Sequence, residues 1–367
     1  MKKIKILYEG LSENLGGIET FIYNLYKNID KEKFEISFLL DEKVKIPFQE
    51  EYENGGCKFY RIGNRKSNYF KYLKDLKEVY MNNKFDIIHI NIMSYSVFER
   101  ITYACKYSNA NIIVHSHNGG FSRSCKYKKT ILLDKIGRIF VKKYEKKIVK
   151  VACGEKAGKF AFKDNEFTIF YNGIDIEKFK FSEENRFKIR NFMNIKDDTV
   201  VIGLVAMFSN PKNHTFLIDI FKEYFKLNNN SKLVLVGEGY LKKEIEEKVK
   251  SLNLIENVIF LGKRLDVNLL YSAMDIYVMP SLYEGLSISL CEAQINGLRC
   301  YTSDSVDKSS DITGNVEFIS LKDDALTWAK KINENHFRDK YVLKKIPEEF
   351  ISERSYKKIF DFYKNLI

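Results

Sequence analysis

The chain has little proline, four residues in 367, and a single tryptophan. With 45% hydrophobic and 30% charged residues, so little proline excludes Pro-rich linkers and argues against long disorder. No apolar run reaches the ~18 residues that a membrane-spanning helix needs. The six cysteines (57, 105, 125, 153, 291, 300) form no CxxC pair and no zinc-ligand spacing. Buried, reduced thiols are therefore expected rather than a disulfide framework or a structural metal. Met1-Lys2-Lys3-Ile4 leads straight into a strand pattern with no signal-peptide apolar region. A cytoplasmic protein is expected, with at most peripheral contact to a membrane. GxGxxG is missing too, so there is no dinucleotide fingerprint.

What is present is positive charge, at net +12. That favours an anionic partner: nucleic acid, an anionic membrane face or a phosphorylated small molecule. The lysines are spread along the chain, which speaks against a nucleic-acid arm. The length suits two domains. Short apolar strands alternate with amphipathic helices from Ile4 to the strand Asn111–His115, and again from Val200 to Ile319. This alternation predicts two open parallel sheets with helices on both faces, an α/β architecture. Tyr127–Lys150 reads as one long basic helix, Glu166–Tyr171 as a strand, and 177–198 as a polar helical interdomain region.

The segment Met279-Pro280-Ser281-Leu282-Tyr283-Glu284-Gly285-Leu286-Ser287 carries the strongest signal. An apolar strand ends at Pro280, a Gly-containing turn follows, and a helix begins. Such a turn points free backbone N–H groups beyond the sheet, where an anion binds. Glu284 stands at its mouth and Glu292 further along. Eight residues of helix would separate them by about 12 Å, too far for a hydrolase pair straddling one bond and suited to a sugar and a ribose. An ordinary helix-start glutamate and a surface glutamate are the plain alternative. Gly16 and Gly17 read equally as a tight turn or as a close approach to phosphate. His115-Ser116-His117-Asn118 ends a strand, where a histidine can meet a sugar hydroxyl; loop packing is the plain alternative, and HxH alone supplies too few ligands for a metal. Lys212, in Pro211-Lys212-Asn213-His214, is placed to neutralise a diphosphate or to be simply a surface lysine. Residues 126–150 interleave lysines with Ile131, Leu132, Ile139 and Phe140; this pattern suits an anionic membrane surface or packing into its own domain.

Taken together, these residues resemble the retaining GT-B glycosyltransferases of the family 4 type, especially bacterial exopolysaccharide and capsule enzymes. The resemblance rests on Gly16-Gly17-Ile18-Glu19, His115-Ser116-His117, Asn172-Gly173-Ile174-Asp175, Lys212-Asn213-His214, Gly237-Glu238-Gly239, Pro280 to Leu286 and Glu292-Ala293 in this order. It implies two Rossmann-like doubly wound domains facing across a cleft: 1–172 for the acceptor, 173–348 for the nucleotide sugar, and a helix at 349–367 crossing back. It implies a UDP-sugar donor, a lipid-diphosphate-linked saccharide acceptor, and neither metal nor other cofactor. Lys212 would stabilise the leaving diphosphate, Glu284 the sugar, Glu292 the ribose, and the amides of Gly285, Leu286 and Ser287 the sugar and phosphate. Gly17, beside Gly16, would reach the diphosphate when the cleft closes. One of His115 and His117 would meet the transferred sugar, with His115 favoured because it terminates the strand. The chain departs from the family at Met207, where an arginine usually shares the diphosphate charge; Arg264 or Lys263 is then the candidate substitute cation. A catalytically weakened subunit that binds a partner glycosyltransferase is the competing reading, and an epimerase on the same architecture a third.

Overall fold

The computed structural model describes residues 2–121, 128–163, 165–335 and 337–367. They fall into two compact units, 1–173 with 352–367, and 174–351.

The first unit runs β1 (Ile4–Glu9), α1 (Gly17–Asn28), β2 (Phe34–Asp41), α2 (Gln49–Asn54), β3 (Lys58–Ile62), α3 (Tyr69–Asn82), β4 (Ile87–Ile92), α4 (Phe98–Tyr107), β5 (Asn111–Ser116), α5 (Lys128–Lys142), β6 (Ile148–Ala152), α6 (Glu155–Phe162) and β7 (Thr168–Ile169). Its seven strands are all parallel, in the order β3-β2-β1-β4-β5-β6-β7. Every residue of β4 is buried, as expected for a central strand covered on both faces. α1 buries Ile18, Phe21, Ile22, Leu25 and Tyr26, a stripe at helical spacing.

The second unit runs α7 (Ile176–Phe179), α8 (Glu183–Phe192), β8 (Val200–Val205), α9 (His214–Leu227), β9 (Ser231–Val236), α10 (Lys242–Ser251), β10 (Val258–Gly262), α11 (Val267–Ala273), β11 (Ile276–Met279), α12 (Ile288–Ile295), β12 (Arg299–Ser303), β13 (Val316–Ile319) and α13 (Ala325–Glu334). Its six parallel strands lie in the order β10-β9-β8-β11-β12-β13. The last helix, α14 (Ser352–Asn365), belongs to the first unit. It places Tyr356, Ile359, Phe360 and Tyr363 in the same core as α1 and β1.

Both sheets start at a central strand, build to one side, then cross to the other. The carboxyl ends of β1 and β4, and of β8 and β11, therefore diverge, and open α/β sheets bind ligands at such a switch point.

Three expectations are corrected. The basic helix is shorter than 127–150: α5 ends at Lys142, and Ile148-Val149-Lys150-Val151 is strand, paired with β5. Lys150, half-buried within the strand, continues the run of lysines from the helix and disguises it; Lys126 and Tyr127 lie outside the described residues. The segment 177–198 is part of the second unit rather than a connector. Arg190 of α8 is buried there, donating to Asp275 at 2.6 Å and to the carbonyls of Ala273 and Thr199 at 3.1 and 3.0 Å. Only Thr168–Ile169 of the expected strand 166–171 joins the sheet, as its edge. Of the five cysteines described, four are buried and Cys57 is half-buried, all as free thiols. Among the described residues no helix is long and apolar enough to cross a membrane.

Candidate active site

In the second unit the loops following the adjacent strands β8 and β11 are laced together. Asn213 adopts a left-handed conformation, φ 54°. From it the Nδ2 donates to the Pro280 carbonyl at 3.0 Å, while the Leu282 amide donates back to the Pro211 carbonyl at 2.7 Å. At the same strand end, Thr302 Oγ1 donates to the Met279 carbonyl at 2.7 Å and Ser303 Oγ to the Ser281 carbonyl. The result is an ion pair between Lys212 Nζ and Glu284 Oε1, with both side chains largely buried. Ser281 Oγ donates to the same carboxylate oxygen at 3.4 Å.

α12 begins just beyond. Its N-cap, Ser287, makes no side-chain cap. The Ser287 amide meets Ser310 Oγ at 3.4 Å, and no described residue accepts from the amides of Gly285 or Leu286. A cation and free amides at a helix start are the features that favour an anion. Because the helix starts at Ile288, Glu284 lies in the turn before it, so the 12 Å helical rise expected between Glu284 and Glu292 does not apply. Glu292 is buried on α12 and accepts from the Tyr271 hydroxyl at 2.8 Å. Burial pushes its carboxyl up to about 7, against the opposing pull of Tyr271 and Lys178.

Two further ion pairs lie along this edge, while Lys263 is exposed. Arg264 forks onto Asp266, Nε to Oδ1 at 2.8 Å and Nη2 to Oδ2 at 2.7 Å. Lys242 bonds Glu238 at 2.7 Å. Met207 is exposed where the family pattern has arginine.

In the first unit, Gly16 caps α1 and Gly17 opens it. Glu19 holds this loop, with Oε2 accepting from the Gly16 amide at 3.0 Å and Oε1 from the Ser12 amide and hydroxyl at 2.8 and 2.9 Å. At the end of β1, Gly10 has φ 88°, and a Cβ there would lie 2.1 Å from the Asn91 carbonyl. His115 is fully buried, with its Nε2 lacking a partner; His117 keeps exposed surface. Their ring centroids are 4.0 Å apart. His115 Nδ1 lies 3.0 Å from His89 Nε2, His89 Nδ1 lies 2.7 Å from the Tyr363 hydroxyl, and Tyr8 donates to Tyr363 at 3.2 Å. Burial lowers His89 and His117 to about 3 and His115 as well, so all three rings are neutral. His117 Nε2 pairs with Asn91 Oδ1 at 2.8 Å.

Sequence reading did not single out His89, Asn91, Tyr271 or Tyr363. His89 and Asn91 alternate with isoleucines in an apolar strand, and polar residues there were a usable signal. Tyr271 and Tyr363 sit on helices among apolar neighbours, and only the tertiary contacts reveal them.

The comparisons with known proteins bear on the family and the fold. Residues 15–178 match the model described as Glycosyltransferase Family 4, and residues 185–335 that described as Glycosyl transferases group 1. EpsF of Bacillus subtilis (strain 168), assigned as a glycosyltransferase, is 32% identical over 89% of this chain and 86% of its own length. The UDP-Gal:alpha-D-GlcNAc-diphosphoundecaprenol alpha-1,3-galactosyltransferase of Escherichia coli is 26% identical over 82% of this chain and 79% of its own. Anabaena HepE, solved with UDP and glucose, superposes with a TM-score of 0.73 at 17% identity, covering 99% of this chain and 97% of that one. That likeness carries the fold. Two parallel α/β units and these matches have one reading: the chain belongs to the family 4 type of GT-B glycosyltransferases.

Proposed function

We propose that the protein is a retaining glycosyltransferase that moves a hexosyl or N-acetylhexosaminyl group from a UDP-sugar to a lipid-diphosphate-linked saccharide in surface polysaccharide assembly. The observation that carries this reading is the Lys212–Glu284 pair beside the free amides of Gly285 and Leu286. A nucleoside diphosphate sugar would divide that pair. Lys212 and the amides would take the diphosphate, Glu284 the sugar hydroxyls and Glu292 the ribose. As the sugar–phosphate bond breaks, negative charge grows on the leaving diphosphate, where preorganised Lys212 is most effective. The acceptor hydroxyl would add to the anomeric carbon on the face the diphosphate leaves, passing its proton to a departing phosphate oxygen. Arg264 would have to release Asp266 to share the charge left uncovered by Met207. Of the two histidines, His117 has the exposed surface to meet a sugar, and His115 supports it from below. The activity of the Escherichia coli galactosyltransferase supports both the donor and acceptor classes, and the O-antigen biosynthesis glycosyltransferase WclY of the same species, 26% identical over 99% of this chain, supports the polysaccharide setting.

α5 supports docking on an anionic leaflet. It turns Asp134, Gly137 and Val141 into its own unit and leaves Leu132, Ile139 and Phe140 exposed among Lys128, Lys129, Lys135 and Lys142. The test of the whole reading is transfer from a panel of UDP- and GDP-sugars to undecaprenyl-diphosphate-linked acetylglucosamine, without added metal, with the anomeric configuration of the product read by NMR. Product with inverted configuration sinks the retaining assignment. No transfer from any donor, with donor binding intact, moves the protein to the weakened-subunit reading.

A further inference from the structure

Asn91 is the penultimate residue of β4 and only 3% exposed. Its Nδ2 donates to the Glu9 carbonyl at 2.8 Å, and its Oδ1 lies 2.8 Å from His117 Nε2. A peptide carbonyl has no proton to give, so the Asn91 atom facing Glu9 has to be the amide nitrogen. The atom facing His117 is then the amide oxygen, which can only accept. His117 Nε2 must therefore carry the proton. A neutral imidazole holds one proton, which leaves Nδ1 with a bare lone pair. No described residue bonds that Nδ1. The groups packed on the ring are His115, at a centroid distance of 4.0 Å, and Phe21 of α1, at 5.8 Å; neither brings a charge.

We propose that Asn91 is a positioning residue that locks His117 in the Nε2–H form, so that Nδ1 accepts a hydrogen bond from a sugar hydroxyl. This deepens the reading that His117 meets the saccharide and rests on it. The locked ring has no proton to offer at Nδ1, so it discriminates for a hydroxyl donor and against a phosphate or carboxylate oxygen. Gly10 belongs to the same device: its φ of 88° brings the chain against the Asn91 backbone, where no Cβ fits. A lone histidine at a strand end could present either nitrogen; the Glu9 carbonyl, acting through Asn91, removes the choice.

With only five histidines in the chain, nitrogen-15 NMR of the histidine-labelled full chain can read this directly. His117 is assigned by the signal lost in His117→Gln. At pH 7 its Nε2 is expected to be protonated and its Nδ1 bare, and Asn91→Ala should leave a mixture of the two neutral forms. Asn91→Asp sets a carboxylate against Nε2 and raises the pKa of the ring. Its transfer rate should then fall ~tenfold from pH 8 to pH 5 as the imidazolium forms, where the parent changes less than about twofold. A wild-type ring protonated at Nδ1, or a tautomer unchanged in Asn91→Ala, overturns the lock. If the tautomer is as stated but His117→Ala transfers sugar at the parental rate, the lock stands as a structural feature and its role at the sugar is overturned. Should the Asn91 variants fail to fold, the wild-type tautomer alone decides the lock.

Discussion

Lys212 and Glu284 stand 72 positions apart and meet only because β8 and β11 are neighbours in the sheet. Each holds the other's charge in a largely desolvated place, so deleting one leaves the other without its counter-ion. Lys212→Ala and Glu284→Ala are each expected to lower kcat by roughly 10²-fold, the scale for losing one preorganised electrostatic contact. Steady-state transfer assays check this, and a loss confined to KM would place the pair in ground-state binding alone. Glu9 offers a pH test. It is fully buried at the end of β1, accepting from Tyr80 at 2.7 Å with Arg100 at 3.5 Å, and burial raises its carboxyl from 4.5 to about 7. A carboxyl raised by folding favours the folded state most below its ordinary pKa, and that contribution disappears as pH rises through about 7. Glu9→Gln should flatten the stability profile between about pH 5 and pH 8 by at most ~3 kcal/mol. Urea melts across that range measure it, and an unchanged slope would mean that Arg100 already keeps Glu9 ionised.

Two helices show how an element can be read correctly in part. The spacing of α14 is plain in the sequence, but its partners are not. Tyr363 receives a hydrogen bond from Tyr8 and reaches His89 Nδ1 with its own hydroxyl. Tyr363→Phe keeps the ring and removes both links, so it should cost ~1–3 kcal/mol by leaving the Tyr8 hydroxyl and a His89 nitrogen buried and unpaired. Chemical denaturation reads this, and parental stability would show that the hydroxyl contributes nothing. α5 was expected to lie either on a membrane or in its own core; one face packs into its own unit, and Leu132, Ile139 and Phe140 are left exposed. Replacing Leu132 and Ile139 together by glutamate should abolish co-sedimentation with phosphatidylglycerol vesicles with little loss of thermal stability, since both side chains are largely exposed, whereas Phe140 stacks on Phe98. Equal binding by parent and variant would remove α5 from any membrane role. The strand that follows was expected only from Val151 and begins at Ile148, because Lys150 continues the helical charge pattern of the preceding lysines.

At the scale of the whole molecule, the second unit is continuous in sequence while the first is completed by α14 from the far end of the chain. Truncation at Ile351 would strip Tyr356, Ile359, Phe360 and Tyr363 from the first unit's core, and that unit should then lose cooperative unfolding. UDP, read here as a ligand of the second unit, should still protect 174–351. In calorimetry at 100-fold above Kd it should add ~2.7 kcal/mol to the unfolding of the segment that binds it. Protection of both units in the truncated chain would contradict the assignment of the donor to the second.

The alternation of strands and helices, the glycine turns, the helix-start motif at Glu284 and the absence of a metal-ligand pattern were all legible in the sequence, because each is set by local spacing. The 12 Å separation was not, since a turn and a helix differ in rise while sharing the same residues. Nor was the choice between His115 and His117: two histidines flanking the end of β5 look alike in sequence, and only the packing of Phe21, His89 and Asn91 decides which ring is sealed and which nitrogen is bare. The sequence by itself determined the family and the kinds of groups present. The tertiary structure decided the protonation of those groups and their partners, because hydrogen-bond direction and desolvation depend on neighbours brought from distant parts of the chain.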